Sequence, residues 1–328
     1  MVYGLTMFRS LAECGMEFEL YVLCLSDNAF DMLEGIDPRL IPVKLGELEQ
    51  YDPELKSCKN TRSRIEYIFT MSPCLPLFLF HKFPQLKMLT YLDSDLCFFD
   101  SPECLFKELG ERSLYIIEHR FAPGFEKDIL NGRFNMAFQI YRNNEVGIAC
   151  LKKWRNECLE WCYDRCEDGK FADQKYLDSW PELWGEEVVV SAHPGANLAP
   201  WNIGNFAVKT EKSKVTVNGC PLIFVHYQSF KLVSRTCAVW VSWSRNKKIR
   251  KTWHILPKLY LRELQKTMQT YPELFGDWKP LFSFRGTAPG VRESKVLAWI
   301  PGAFFKQIVH IVYSIWHWRH GIYFIPEK

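Results

Sequence analysis

The chain lacks a charge excess of either sign: 41 Lys and Arg stand against 38 Asp and Glu, a formal balance of +3. With no global basic field, nucleic acid is not an expected partner, and any ligand must be recognised locally. No basic segment followed by an apolar one trails Met1, and no Asn has Ser or Thr two positions on. Neither a secretory signal nor an N-glycosylation sequon is visible. The 12 cysteines are scattered along the chain instead of clustered, so they are read as mostly reduced thiols of a cytosolic protein. Internal repeats and low-complexity tracts are also missing, which excludes solenoids and disordered scaffolds.

What remains is ordinary globular material. Of 328 residues, 48% are apolar and 24% charged, enough for one large α/β unit or two domains. Apolar residues at helical spacing run from Tyr3 to Cys14, and Phe18–Leu25 is a continuous apolar run of strand length. The chain therefore opens helix then strand, where a doubly wound sheet would open with a strand. Residues 61–70 read as a helix closed by Pro73 and Pro76, and Lys87–Leu92 as a strand that ends at Asp93-Ser94-Asp95. Further strands are expected at Ser113–Ile117, Met136–Tyr141, Val188–Val190 and Leu222–His226, with a long helix over Glu145–Glu167 ended by Gly169. This alternation favours an α/β sheet over residues 1–240. Residues 241–328 form a helical region whose last piece, from Phe304 to His317, is amphipathic and too interrupted for a membrane span.

Two segments carry chemistry. Tyr91-Leu92-Asp93-Ser94-Asp95 brings two carboxylates to the carboxyl end of a strand, spaced so that alternation points both the same way. Ligands of open α/β sheets bind at that end, and paired hard oxygens suit Mg²⁺ or Mn²⁺ together with substrate phosphates. The same triplet also arises in plain turns. The second segment, Phe224-Val225-His226-Tyr227-Gln228-Ser229-Phe230-Lys231, ends an apolar strand with an imidazole and then an ammonium. His226 is suited to complete a metal site and Lys231 to cover a diphosphate, although a lone strand-end His also serves as a hydrogen-bonded structural residue. The thiols Cys150, Cys158, Cys162 and Cys166 share one face of the expected long helix, and a rigid helix cannot wrap four sulfurs around one ion, so they are read as core.

Between the two segments lie Gly132-Arg133-Phe134-Asn135, then Phe171-Ala172-Asp173-Gln174-Lys175-Tyr176-Leu177, then Asn197-Leu198-Ala199-Pro200-Trp201-Asn202. In that order, from about Tyr3 to Lys231, the motifs resemble those of the GT-A nucleotide-diphospho-sugar transferases. The likeness is strongest to bacterial, family-8-like glycosyltransferases, whose pattern runs YLD-x-D-x-x-FF, GxxN, DQKYL, NLAPWN and H-x-x-x-x-K. The resemblance implies a Rossmann-like, doubly wound mixed sheet, here without its first strand, and a helical C-terminal extension. It implies Mn²⁺ or Mg²⁺ on Asp93, Asp95 and His226, Lys231 on the diphosphate, and Arg64 on a helix facing the nucleotide sugar. Asn135, Asp173 and Gln174 match positions that contact the donor sugar or flank the reaction centre. Asn197, Trp201 and Asn202 match the loop lining the acceptor side. Each has a plainer alternative: a turn residue for Asn135, a helix N-cap for Asp173, and packing for Trp201.

The implied activity is metal-dependent transfer of a sugar from a nucleotide-diphosphate donor to a glycan or lipid-linked acceptor, in surface glycan synthesis, with retention favoured over inversion. Where relatives often carry Gly, this chain has Ala137 and Ser229. By the resemblance the sequence is expected to start just after the strand that holds the nucleobase in relatives, so that either the recorded start is wrong or base recognition is weakened. A catalytically inactive binding protein of the same fold and a nucleotidyltransferase are the alternatives. An aspartyl phosphatase is disfavoured because no Asp-Asp dipeptide occurs. The cluster Arg245, Lys247, Lys248, Arg250 and Lys251, with the terminal amphipathic piece, suggests a cytoplasmic protein peripheral on the inner membrane.

Overall fold

The computed structural model describes residues 1–211, 214–235, 237–240, 255–276 and 322–324. By their contacts these form two units, Tyr3–His226 and Tyr227 onward. The first unit opens with helix α1 (Val2–Glu13), then β1 (Leu20–Cys24), α2 (Asp27–Leu33) and β2 (Leu40–Lys44). β1 and β2 pair in parallel, with Leu20 opposite Leu40, so these elements form one βαβ crossover. Ser26 caps α2 by accepting from Ala29 N. α3 (Leu45–Tyr51), α4 (Pro53–Cys58), α5 (Arg64–Met71) and α6 (Cys74–Lys82) follow. A capping box between Ser63 and Glu66 starts α5. Pro73 and Pro76 do not simply end a helix, as their spacing suggested. They sit at the N-cap and in the first turn of α6, where a missing N–H costs nothing.

The main sheet has strand order β3-β6-β5-β7, from β3 (Met88–Leu92), β5 (Leu114–Glu118), β6 (Phe134–Arg142) and β7 (Val188–Val190). β6 runs antiparallel to both neighbours and β5 pairs parallel with β7, so the sheet is mixed. Alternate residues of β5 enter two separate cores. Tyr115 and Ile117 pack with Met7 and Leu11 of α1 and with Leu105 and Leu109 of α7 (Glu103–Leu109). Leu114 and Ile116 pack with Leu77 and Phe80 of α6 and with Leu151 and Trp154 of α8 (Glu145–Glu160). Helices therefore cover both faces of the sheet, which is what two apolar faces require. The β5–β6 ladder slips between Tyr115 and Ile117. That irregularity sends Phe134 and Met136 of β6 to one core but Phe138 and Ile140 to the other.

The long helix α8 stops at Glu160, not at Glu167 as expected. Its last-turn carbonyls are taken by side chains from elsewhere: Arg62 and Cys58 reach Leu159 O, and the Tyr176 hydroxyl donates to Trp161 O at 2.6 Å. The four thiols consequently do not share a helix. Cys150 and Cys158 lie on α8, Cys162 is buried beyond its end, and Cys166 is exposed.

A short antiparallel ladder positions the site. β4 (Leu96–Phe98) pairs with β11 (Phe224–His226) in the register Leu96↔His226, Cys97↔Val225 and Phe98↔Phe224. Between them in sequence, β8 (Val208–Glu211), β9 (Lys214–Val217) and β10 (Cys220–Pro221) form a separate meander. α1 supports β4 through Ser10, whose hydroxyl accepts from Phe98 N at 3.0 Å.

The second unit contains β12 (Lys231–Ser234), β13 (Cys237–Val239) and β14 (Ile322–Phe324) as a three-stranded antiparallel sheet, and helix α9 (Ile255–Thr270). Tyr227 stacks on Tyr260 at 3.8 Å and donates to Leu256 O, and Trp240 closes the aromatic cluster. Ser229 lies in the left-handed region with φ 62°, the conformation glycine adopts most readily at this position's turn. The basic cluster Arg245–Lys251 and the terminal amphipathic piece from Phe304 to His317 lie outside the described residues. Among the described residues no helix is long and apolar enough to cross a membrane.

Candidate metal site

Asp93 and Asp95 come together for a reason other than strand alternation. β3 ends at Leu92, and Asp93–Asp95 form a tight turn into β4, with Leu96 N donating back to Asp93 O. Asp93 N donates to Ala137 O of β6 at 3.0 Å, which anchors the turn to the sheet. The β4–β11 register then sets His226 opposite Leu96, beside Asp95. His226 Nε2 lies 3.2 Å from Asp95 Oδ1 and 3.7 Å from Asp93 Oδ2. One ligand atom from each of the three residues lies within 4.8 Å of the others. Two donors each about 2.1 Å from one divalent ion sit about 3 Å apart at right angles and about 4.2 Å apart when opposed. The three side chains therefore fit a shared cation with small adjustments.

The electrostatics show charge that is costly to keep. Burial dominates at Asp93 and, with repulsion from Asp95, outweighs the attraction of His226, raising the carboxyl to about 6. Its side chain retains 29% exposure, so water moderates the strain. At His226 burial acts to lower the pKa, but Asp95, through charge and hydrogen bond, and Asp93 prevail and raise it. Asp173 is 4% exposed, and burial with the Asp93 charge raises it to about 7 against a hydrogen bond from Ser72. Asp173 precedes a 3₁₀ turn (Gln174–Ser179), yet its carboxylate does not cap that turn.

Asn135 lies in β6 with its amide buried and engaged. Its Oδ1 accepts from Ala137 N and faces His226 Nδ1 at 3.2 Å, and its Nδ2 faces His119 Nε2 at 3.0 Å. Gln174 donates from Nε2 to Asn131 O and packs on Gly132, whose φ of 136° suits glycine. The Asn202 amide is spent inside its loop, accepting from Ala199 N and donating to His119 O and Asn197 O. Trp201 is 7% exposed and sets its ring edge-on to both His119 and His226, at 5.4 and 5.3 Å between centroids. Its indole Nε1 and both side-chain amide atoms of the buried Asn197 have no hydrogen-bond partner among the described residues. Arg120, Ala172 and Asn197 adopt positive φ without being glycine, and two of them adjoin His119 and Asp173.

Arg64 is exposed at the start of α5. With Lys59, Arg62, Ser63 and Tyr67 it lines a cleft of about 330 Å³ just past the carboxyl ends of β1 and β2. The opposite end of α5 is capped by Ser72, whose hydroxyl serves both Asp173 and Tyr91. Lys231 opens β12 in the second unit. Sequence reasoning missed His119 and Tyr91. His119 follows β5 by one residue, the same strand-end placement that singled out His226, but no neighbouring motif marks it.

No known family model matches the chain. Over 236 residues it is 36% identical to the uncharacterized protein YfnD of Bacillus subtilis strain 168, covering 70% of this chain and 74% of that protein. Over 242 residues it is 30% identical to the uncharacterized protein YfnF of the same organism, covering 70% and 78% respectively. Among solved structures it is similar to mouse xyloside xylosyltransferase 1 in its apo form, with TM-score 0.38 and 12% identity over 60% of this chain and 81% of the other. It is also similar to a glycosyltransferase involved in glycosylation of the major capsid of PBCV-1, with TM-score 0.38 and 11% identity over 69% and 87%.

Proposed function

The chain belongs to the family of the Bacillus subtilis proteins YfnD and YfnF, and for it we propose metal-dependent glycosyl transfer, from a nucleotide-diphosphate sugar to an acceptor hydroxyl, on a GT-A fold. The observation that carries this reading is the convergence of Asp93, Asp95 and His226 at the carboxyl end of β3. Mn²⁺ or Mg²⁺ bound by these three side chains would supply positive charge against the diphosphate leaving group.

The other residues take roles that their chemistry supports. Arg64 brings positive charge to the cleft beside β1 and β2, where Lys59 is already paired with Glu49 and Arg62 donates to Leu159 O, and this suits the nucleotide's phosphates. Asp173, raised to about 7, exchanges a proton or hydrogen bond with a sugar hydroxyl near neutral pH, and Gln174 holds the adjoining turn. Asn197 and Trp201 offer unpaired polar atoms to a sugar, on the acceptor side. The Asp173 carboxyl is engaged by Ser72, which favours the retaining course, where no strong protein base is needed. Inversion would make Asp173 that base. The acceptor is a glycan or a lipid-linked glycan met at the inner membrane.

The test is a panel of nucleotide sugars assayed for hydrolysis and transfer with Mn²⁺, Mg²⁺ or EDTA, on the wild-type chain and on Asp95→Asn. Turnover that needs the divalent ion and is lost in the variant is expected. Turnover unaffected by EDTA and by the substitution would remove the basis of the reading. Liposome co-sedimentation that persists without residues 301–328 would separately remove the membrane role of that segment.

A further inference from the structure

A chain of polar contacts leads away from His226 into the protein, and each member has one role open to it. Arg133 O is a carbonyl and can only accept. His119 Nδ1 lies 3.3 Å from it, so that nitrogen carries a proton. Burial holds His119 at a pKa of about 3, hence neutral, and its Nε2 is then an acceptor. Asn135 Nδ2, 3.0 Å away, donates to it. The amide orientation has a second, independent anchor. Ala137 N can only donate, and it lies 3.1 Å from Asn135 Oδ1, which identifies that atom as the oxygen. Oδ1 is also 3.2 Å from His226 Nδ1, so Nδ1 of His226 must bear hydrogen.

We propose that His119, acting through Asn135, locks the Nδ1 proton of His226 in place, so that Nε2 is the nitrogen left to face a cation beside Asp93 and Asp95. The consequence for metal binding rests on the reading of those three residues as a metal centre. Asn135 thereby becomes a positioning residue, with His119 behind it. Both are 6% exposed or less, which shields the relay from competing water. Removal of a proton from Nδ1 would set two lone pairs against each other in a buried space. The carboxylates on the Nε2 side are nearly a third exposed and are the groups a cation would neutralise. His119 is itself held face to face with Phe121 at 4.7 Å and edge-on to Trp201, so its ring cannot swing away cheaply.

The experiment pairs NMR of the metal-free chain, ¹⁵N-labelled at histidine, with Mn²⁺ affinity read by EPR. In the wild type the His226 Nδ1–H should give a resonance protected from solvent exchange, and its absence overturns the proposal. His119→Phe keeps the ring stacking but leaves Asn135 Nδ2 without an acceptor. It should lose that protection and weaken Mn²⁺ binding by about 10- to 100-fold. His119→Gln can still accept from Asn135 and donate to Arg133 O, and should retain both properties. Unchanged Mn²⁺ affinity in a folded His119→Phe overturns the proposal. So does a His119→Gln chain that behaves like a deletion of the relay. A wild-type chain with the protected resonance but no Mn²⁺ binding would sink the metal reading instead, while leaving the proton lock upheld.

Discussion

Two regions of the first unit bury carboxylates, and they handle the charge in opposite ways. Asp52, 2% exposed, receives a bidentate pair from Arg155 at 2.5 and 2.6 Å and caps α4 through Leu55 N. Burial acts to raise its pKa, but the guanidinium and the backbone N–H prevail, and the net shift is downward. Asp93 and Asp173 have no Lys or Arg against them among the described salt bridges, and both are shifted upward, to about 6 and about 7. A carboxylate already neutralised by a built-in cation is a fold element. One kept near its neutral form by lack of such a cation is poised for a ligand that brings positive charge.

The largest effect that would break this contrast lies at the site. Asp95→Asn should cut metal-dependent turnover at least about a hundredfold in a steady-state assay, the scale of losing one main electrostatic contact, with little loss of metal-free thermal stability. At the other carboxylate the outcome should invert. Asp52→Ala leaves the Arg155 guanidinium, 18% exposed, with the exposed Glu54 and Asn156 as its remaining described side-chain partners, and should destabilise the chain by about 3 kcal/mol in urea unfolding. The turnover of the folded fraction should not change.

Asp173 sharpens the comparison through pH. Its folded pKa, about 7, lies above the ordinary 3.8, so the protonated form is favoured by folding. Its contribution to metal-free stability is fully present below pH ~4 and is lost as the pH rises through ~7. Asp173→Asn should therefore match the wild type near pH 4 and exceed it at pH 8 in EDTA, by a few kcal/mol at the upper bound. A wild-type curve that rises across that interval while the variant's stays flat would contradict the sign. The smallest effect belongs to Cys166→Ser, an exposed thiol off the end of α8, at under about 0.5 kcal/mol.

The legible parts of the fold are those where local pattern and tertiary demand agree. The apolar run before Asp93 and the three valines Val188–Val190 are strands in the structure as in the pattern. The pattern failed where a distant side chain decided. Nothing in Trp161-Cys162-Tyr163 announces that Tyr176 and Arg62 will take the carbonyls at the end of α8, so the local pattern runs past Glu160, where the helix stops. Pro73 reads locally as a stop but serves as the start of α6, because the two uses share one local geometry. At the site the residue types Asp93, Asp95 and His226 were readable. The strand end at Leu92 is legible too, but strand alternation is not what joins the carboxylates, which a turn does, and no motif marks His119.

Residue chemistry and order along the chain were thus sufficient to nominate two acids, an imidazole and the motifs between them, since ligand preference is a property of each side chain. Their convergence was decided elsewhere. The pairing of Leu96 with His226 joins segments remote in sequence, and the amide of Asn135 acquires its direction only from Ala137 N and His119 once β5 and β6 are aligned. Short-range periodicity carries no information on which strands will pair, because that choice is settled by burying two faces of one sheet at once.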